Sequence, residues 1–152
     1  MANGGTWVQP RIVRGTVGAD GQVTELAPSP VRRVVRPDTS DLLTRMLAYV
    51  VEDGTGTNAR IDGYQVAGKT GTAKKLDRDG NYTNRYVASF IGFLPAARPR
   101  VVVATVLDEP ETVYGGIAAA PLFQDIARYA IQRLAIPPAP PVDLPPHVQA
   151  SP

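Results

Sequence analysis

The sequence predicts a mixed α/β fold of the α+β type: an antiparallel sheet of at least three strands covered by helices. Three observations carry that expectation. Segments 38–54 and 115–135 repeat apolar residues at the spacing of a helix face. Between them lie three runs, 64–75, 85–95 and 100–109, rich in the β-branched and aromatic residues that suit a pleated surface. The links joining those runs, LDRDGNYTN and AARP, are too short to house the crossover that parallel strands require, so neighbouring strands run antiparallel. A chain of 152 residues has room for one such core.

Taken in order, segment 1–10, MANGGTWVQP, has no helix or strand pattern of its own. In 11–26, two β-branched stretches flank Asp20 and Gly21, a pair favoured in tight turns, which predicts an exposed hairpin. After the proline-interrupted APSPVRRVVRP, the first helix places Leu43, Met46, Leu47, Val50 and Val51 on one face, with Asp38 or Thr39 as its cap and Gly54 as its stop. GTGTNARIDG then reads as loop. Beyond the three strands, the second helix aligns Leu122, Phe123, Ile126, Ala127, Ala130, Ile131 and Leu134, long enough to cover the sheet. From Pro137 onward the chain can neither bury apolar area nor form a ladder, so 1–136 is the expected folded unit and 137–152 a mobile proline-rich tail.

Composition removes several kinds of function. With 43% hydrophobic and 20% charged residues, a formal charge of +2, and Arg and Lys scattered along the chain, no nucleic-acid surface is expected. The chain has no cysteine, which excludes disulfides, thiolate metal sites and a cysteine nucleophile. Its one histidine, His147, sits in the tail, so a serine–histidine–aspartate triad has no partner and a metal would have carboxylates only. No cofactor is expected. No run approaches the 18 apolar residues of a membrane span, and the start lacks the charged and apolar segments of a secretion signal.

Chemistry concentrates in GYQVAGKTGT. Its first eight residues, 63–70, satisfy the phosphate-loop pattern G-x-x-x-x-G-K-[ST], and VVVATVLDE imitates the apolar strand ending in acid that accompanies it. A phosphate loop joins a buried strand to a helix so that backbone N–H groups and the helix terminus converge on the phosphates. NARID ahead of Gly63 cannot make a central strand, and GTAKKLDRDGN behind Thr70 denies the helix. Read as a strand, the segment has glycines flanking Lys69 and Thr70, and glycine in a strand marks close approach of a ligand or another backbone. As a strand it has two readings: an edge that recognises a carboxylate or an extended peptide, and a strand with a solvated lysine.

VAGKTGTAKK also resembles the K-T-G box of serine β-lactamases and penicillin-binding proteins. ANGG, GTGTNARIDGYQVAGKTGTA, RYVASFIGFLPA, VVVATVLDEP and YGGIAAAPLFQDIA follow in the order found in class B penicillin-binding proteins, over nearly all of 2–135. Among these, the chain is most similar to the division-specific peptidoglycan D,D-transpeptidases. The resemblance implies the C-terminal portion of the β-lactamase/transpeptidase-like fold. It implies that Lys69 lines the catalytic cleft and favours an anionic substrate. Thr70 and Thr72 would bind the carboxylate of a D-Ala-D-Ala stem peptide or of a β-lactam, and the Thr72 N–H would be an oxyanion donor. Gly71 would let the acyl group lie against the strand, with Lys74 and Tyr114 at the cleft wall. It further implies work on the extracytoplasmic face of the cell membrane.

The family also uses a nucleophilic serine in an S-x-x-K box and a second S-x-N box. The chain's serines are Ser29, Ser40, Ser89 and Ser151; none has lysine three residues on or asparagine two residues on. The expectation is therefore a part of a transpeptidase domain, with Met1 inside that domain, unable to form an acyl-enzyme alone. Its inner face, Trp7 included, would invite the missing upstream part or a second copy. Two other functions stay open: a non-catalytic module that binds wall peptides or a divisome partner, and a phosphate-loop NTPase.

Overall fold

The computed structural model describes residues 1–144. The N-terminal segment forms short strands β1 (Thr6–Val8), β2 (Gly15–Val17), β3 (Val23–Glu25) and β4 (Val31–Arg33). The expected hairpin is β2 with β3, turning through Gly21 at φ 77°, where the Asp20 carboxylate accepts from the Gln22 N–H at 3.0 Å. β1 pairs antiparallel with β4, setting Trp7 opposite Arg32, whose guanidinium lies 5.5 Å from the indole ring centroid. Segment 1–10 thus holds a strand that was not expected. Three residues show no alternation to read, and the partner strand lies far along the chain.

Helix α1 spans Pro37–Asp53. Pro37 occupies the first turn, where its missing N–H costs nothing, and Arg36 precedes it in an extended conformation without a side-chain cap. Asp38 and Thr39 therefore lie inside the helix and are not its cap. Asp38 instead places its carboxylate by the helix N-terminus, accepting from the Thr39 N–H at 2.8 Å. Gly54 ends the helix as expected. Of the expected face only Val51 is fully buried; Ser40, Thr44 and Ala48 point inward beside it, while Leu43, Leu47 and Val50 are half-buried and Met46 is exposed. Small residues win because α1 packs closely against Ala67, Phe93 and Ala96. The hydroxyls this buries are satisfied, Ser40 donating to the Met1 carbonyl at 3.2 Å and Thr44 to the Ser40 carbonyl at 2.9 Å.

A 3₁₀ turn, Thr57–Ala59, leads into β5 (Ala67–Leu76), β6 (Tyr82–Leu94) and β7 (Val101–Asp108), an antiparallel sheet in the order β5-β6-β7. The register is continuous from Ala67 opposite Phe93 to Lys74 opposite Tyr86, and from Leu94 opposite Val101 to Val87 opposite Asp108. β5 is thus a margin of the sheet. Helix α2 (Gly115–Arg133) covers one sheet face, with Phe123 edge-on to Phe90 at 4.7 Å between centroids. Its buried positions are Gly115, Ala119, Ala120, Phe123 and Ala127. The expected face was right at Phe123 and Ala127 but too wide, since Leu122, Ile126 and Leu134 are exposed.

On the opposite face, α1 shields only the end near Ala67 and Phe93. Beyond it Ile91, Val102 and Val106 are 52%, 57% and 61% exposed. Residues 137–144 form no helix or strand, yet the Gln65 amide both donates to and accepts from the Val142 backbone at 3.2 and 2.7 Å, and Arg45 donates to the Asp143 carbonyl at 2.7 Å. That part of the expected mobile tail is tethered to the body. The remainder, with His147, lies outside the described residues. No helix among the described residues is long and apolar enough to cross a membrane.

Candidate active-site edge

Residues 63–70 do not form a phosphate loop. Gly63 turns at φ 79°, and from Ala67 the chain runs on as edge strand through Lys69, Thr70 and Thr72 to Leu76, with no helix following. Convergent N–H groups at a helix start are what phosphate binding needs there, and the antiparallel ladder with β6 removes them.

Register decides what the two sides of β5 see. Thr70 lies opposite Phe90, which is buried against Phe123 of α2, so Thr70 and Thr72 share the α2 side while Lys69 and Gly71 belong to the uncovered side. Three threonine hydroxyls gather on the α2 side. Thr55 Oγ1, from the loop after α1, is 2.9 Å from Thr70 Oγ1, and Thr72 Oγ1 accepts from the Gly115 N–H at 3.4 Å. With Tyr114, Gly116 and Ile117 they line a cavity of about 390 Å³. Asn58 donates to the Gly116 carbonyl at 2.8 Å, tying the 54–63 loop to the first turn of α2. Lys69 folds back along its own strand, its ammonium donating to the Thr70 carbonyl at 2.8 Å and lying 3.2 Å from Thr70 Oγ1. Hydroxyl donors, an ammonium and the positive end of a helix together suit an anion, a carboxylate above all.

Glycines make the convergence possible. A Cβ on Gly115 would stand 2.3 Å from the Ser89 carbonyl oxygen and 2.6 Å from that of Gly71; one on Gly116 would stand 2.1 Å from the Thr55 carbonyl oxygen. Only glycine lets α2 begin directly on the backbone of β5 and β6. At Gly71 the constraint is softer: its Cβ would be 2.5 Å from Ser89 Oγ, a side-chain atom that can rotate away.

The structure therefore brings together Thr70, Thr72 and Tyr114 around one cavity, Lys69 beside it and Gly71 beneath it. Tyr114 stands at the rim, 63% exposed. Lys74 lies apart, its ammonium 5.8 Å from the ring centroid of Tyr86. Thr55 was not foreseen. In sequence it is one residue of a polar loop, and only the return of β5 past that loop places it against Thr70. At the far end of β5, Lys75 bonds Asp108 at 2.8 Å and Glu109 at 2.6 Å, and Arg85 bonds Glu109 at 3.0 Å. Asp108 first and Glu109 second raise the Lys75 pKa above its usual value, while Lys75 foremost lowers that of Glu109.

Residues 1–128 match the penicillin binding protein transpeptidase domain family. The chain is 38% identical over 160 residues to penicillin-binding protein PbpB of Mycolicibacterium smegmatis, covering 95% of this chain and 25% of that protein. It is 38% identical over 114 residues to the probable peptidoglycan D,D-transpeptidase PenA of Neisseria flavescens, covering 73% of this chain and 28% of the relative. Among solved structures, penicillin binding protein 3 of Mycobacterium tuberculosis complexed with ampicillin superposes with a TM-score of 0.85 at 38% identity, covering 98% of this chain and 36% of that one. The chain thus spans about a quarter of the length of these curated relatives. Its edge strand, its sheet and the greater part of the helix that begins on that sheet lie within the matched region, and the chain belongs to the penicillin-binding protein transpeptidase domain family.

Proposed function

We propose that this chain supplies the carboxylate-binding strand of a peptidoglycan D,D-transpeptidase that acts on the extracytoplasmic side of the membrane. The observation that carries the proposal is the convergence of the Thr55, Thr70 and Thr72 hydroxyls on one cavity, with the Lys69 ammonium beside them. In this reading Thr70 and Thr72 hold the terminal carboxylate of a D-Ala-D-Ala stem peptide, or that of a β-lactam. Lys69 supplies the positive field that draws it in. The Thr72 N–H donates to the oxyanion, a contact whose removal typically costs about 3 to 4 kcal/mol of barrier. Gly71 leaves the strand bare for the acyl group, and Tyr114 forms the rim. Lys74 is the outermost contact, reached by the distal part of the peptide.

The acyl transfer itself needs a serine that none of Ser29, Ser40, Ser89 and Ser151 supplies in the required box. The nucleophile is proposed to come from polypeptide that covers the sheet face around Ile91, Val102 and Val106 and reaches round the free edge of β5 to the side of Thr70 and Thr72; a second copy of the chain competes for the same face.

The test is binding of benzylpenicillin and of a D-Ala-D-Ala peptide, followed by amide chemical shifts of the isolated chain. Both are expected to perturb Thr55, Thr70, Thr72 and Gly115. Thr70→Val is expected to weaken binding tenfold or more, since a hydrogen bond to a charged group contributes about 1.5–3 kcal/mol. Binding elsewhere, or unchanged affinity in Thr70→Val, would contradict the assignment. A non-catalytic wall-peptide module would bind in the same way. Fluorescent penicillin separates the two: polypeptide bearing the S-x-x-K and S-x-N boxes, added to this chain, is labelled only if the two build one enzyme.

A further inference from the structure

We infer that Glu109 is a positioning residue for the cavity wall: its carboxylate, held between Lys75 of β5 and Arg85 of β6, anchors the connection that sets Tyr114 and Gly115 against Thr72. Glu109 immediately follows β7 and adopts φ 52°, the left-handed region that a residue with a Cβ enters at a cost. A strained non-glycine residue persists where its surroundings hold it. Its N–H still donates to the Tyr86 carbonyl at 2.9 Å, so the chain leaves the sheet here while gripping β6. Its Oε1 lies 2.6 Å from the Lys75 ammonium and 3.0 Å from the Arg85 guanidinium. Lys75 also binds both oxygens of Asp108, at 2.8 and 3.0 Å, so one ammonium spans from β5 to β7 across the intervening strand.

The other end of the connection is fixed just as tightly. Gly115 abuts the backbone of Gly71 and Ser89, and its N–H reaches Thr72 Oγ1. The connection therefore starts on a residue held by the neighbour of Lys74 and ends on one held by Thr72. Both anchors belong to the proposed recognition strand, and Tyr114 is carried between them. A surface ion pair is ordinarily worth little to stability. Here its position, at a strained exit that determines where the cavity rim falls, gives it a directional role.

The experiment compares amide shifts and hydrogen exchange of the full chain with those of Glu109→Gln, Lys75→Met and Lys75→Arg. In Glu109→Gln and Lys75→Met, the amides of Thr72, Tyr114, Gly115 and Gly116 are expected to shift, and exchange at 114–116 to speed up about tenfold, while the β6 and α2 core amides stay protected. Lys75→Arg, which keeps the charge, should return the wild-type pattern. High salt should move the same amides in the unmodified chain, so the test survives a variant that fails to fold. Unchanged 114–116 amides in Glu109→Gln, with no salt response, would overturn the inference. Its consequence for ligand rests on the proposed carboxylate site: penicillin affinity should fall in Glu109→Gln. Unaffected binding in Thr70→Val discredits that site alone and leaves the amide result to judge the anchor.

Discussion

Gly115 stands where a methyl group cannot go. Gly115→Ala is expected to destabilise the fold by about 1–3 kcal/mol, because the new Cβ overlaps two backbone carbonyl oxygens that are themselves part of the sheet. Chemical denaturation checks it, and the same variant should lose ligand binding through displacement of Thr72. The paired hydroxyls of Thr55 and Thr70 are a second local constraint. Two hydroxyls contain two protons, and one is consumed between them, so the pair presents a single outward donor whichever way it points. Thr55→Val should lower ligand affinity while leaving the melting temperature nearly unchanged, which thermal unfolding and titration together can establish. The Glu109 carboxylate gives a pH dependence of known sign. Lys75 above all holds its pKa below the ordinary range, with help from Arg85 and against desolvation and, least, the charge of Asp108. The folded state therefore gains from it above the unfolded value and loses that gain as pH falls through the folded one. The Lys75 pKa is raised, so its contribution is present below the unfolded value and disappears as pH climbs through the folded one. Protection at 114–116, the exchange rate set against the intrinsic rate at each pH, should be greatest around neutral pH and fall at both extremes.

At the scale of elements, the three strands were legible because their apolar runs are long and their links short; β5, β6 and β7 follow from local pattern. The helices were legible as helices, and Val51, Phe123 and Ala127 as buried positions, but the rest of each buried face was not. A ranking by hydrophobicity selects Leu43, Met46 and Leu122, whereas close approach to a sheet selects Ser40, Thr44, Ala48 and Ala119, whose small side chains let the backbones draw near. The cap failed for a related reason: Pro37 fixes the first turn before Asp38 can cap it. Strands β1 and β4 could not be read, since each is defined by the other and by nothing local. The same holds for the site. Lys69, Thr70 and Thr72 announce themselves in one short motif, but Thr55 and Glu109 gain their roles only through tertiary return of the chain.

For the whole molecule, the two sheet faces differ in kind. One is sealed by α2 around Phe90 and Phe123, and the other leaves Ile91, Val102 and Val106 facing solvent. Contiguous apolar surface of this sort promotes association. The isolated chain should self-associate with rising concentration in sedimentation experiments, and Ile91→Glu should shift it toward monomer without loss of secondary structure. Gly71 separates these two environments by a single thickness of peptide: Ser89 Oγ crowds it from one direction and Gly115 from the other. If docking on the bare surface shifts that peptide, occupancy of the cavity behind it becomes a linked equilibrium, and whatever preference the first imposes on the second must be returned in equal measure.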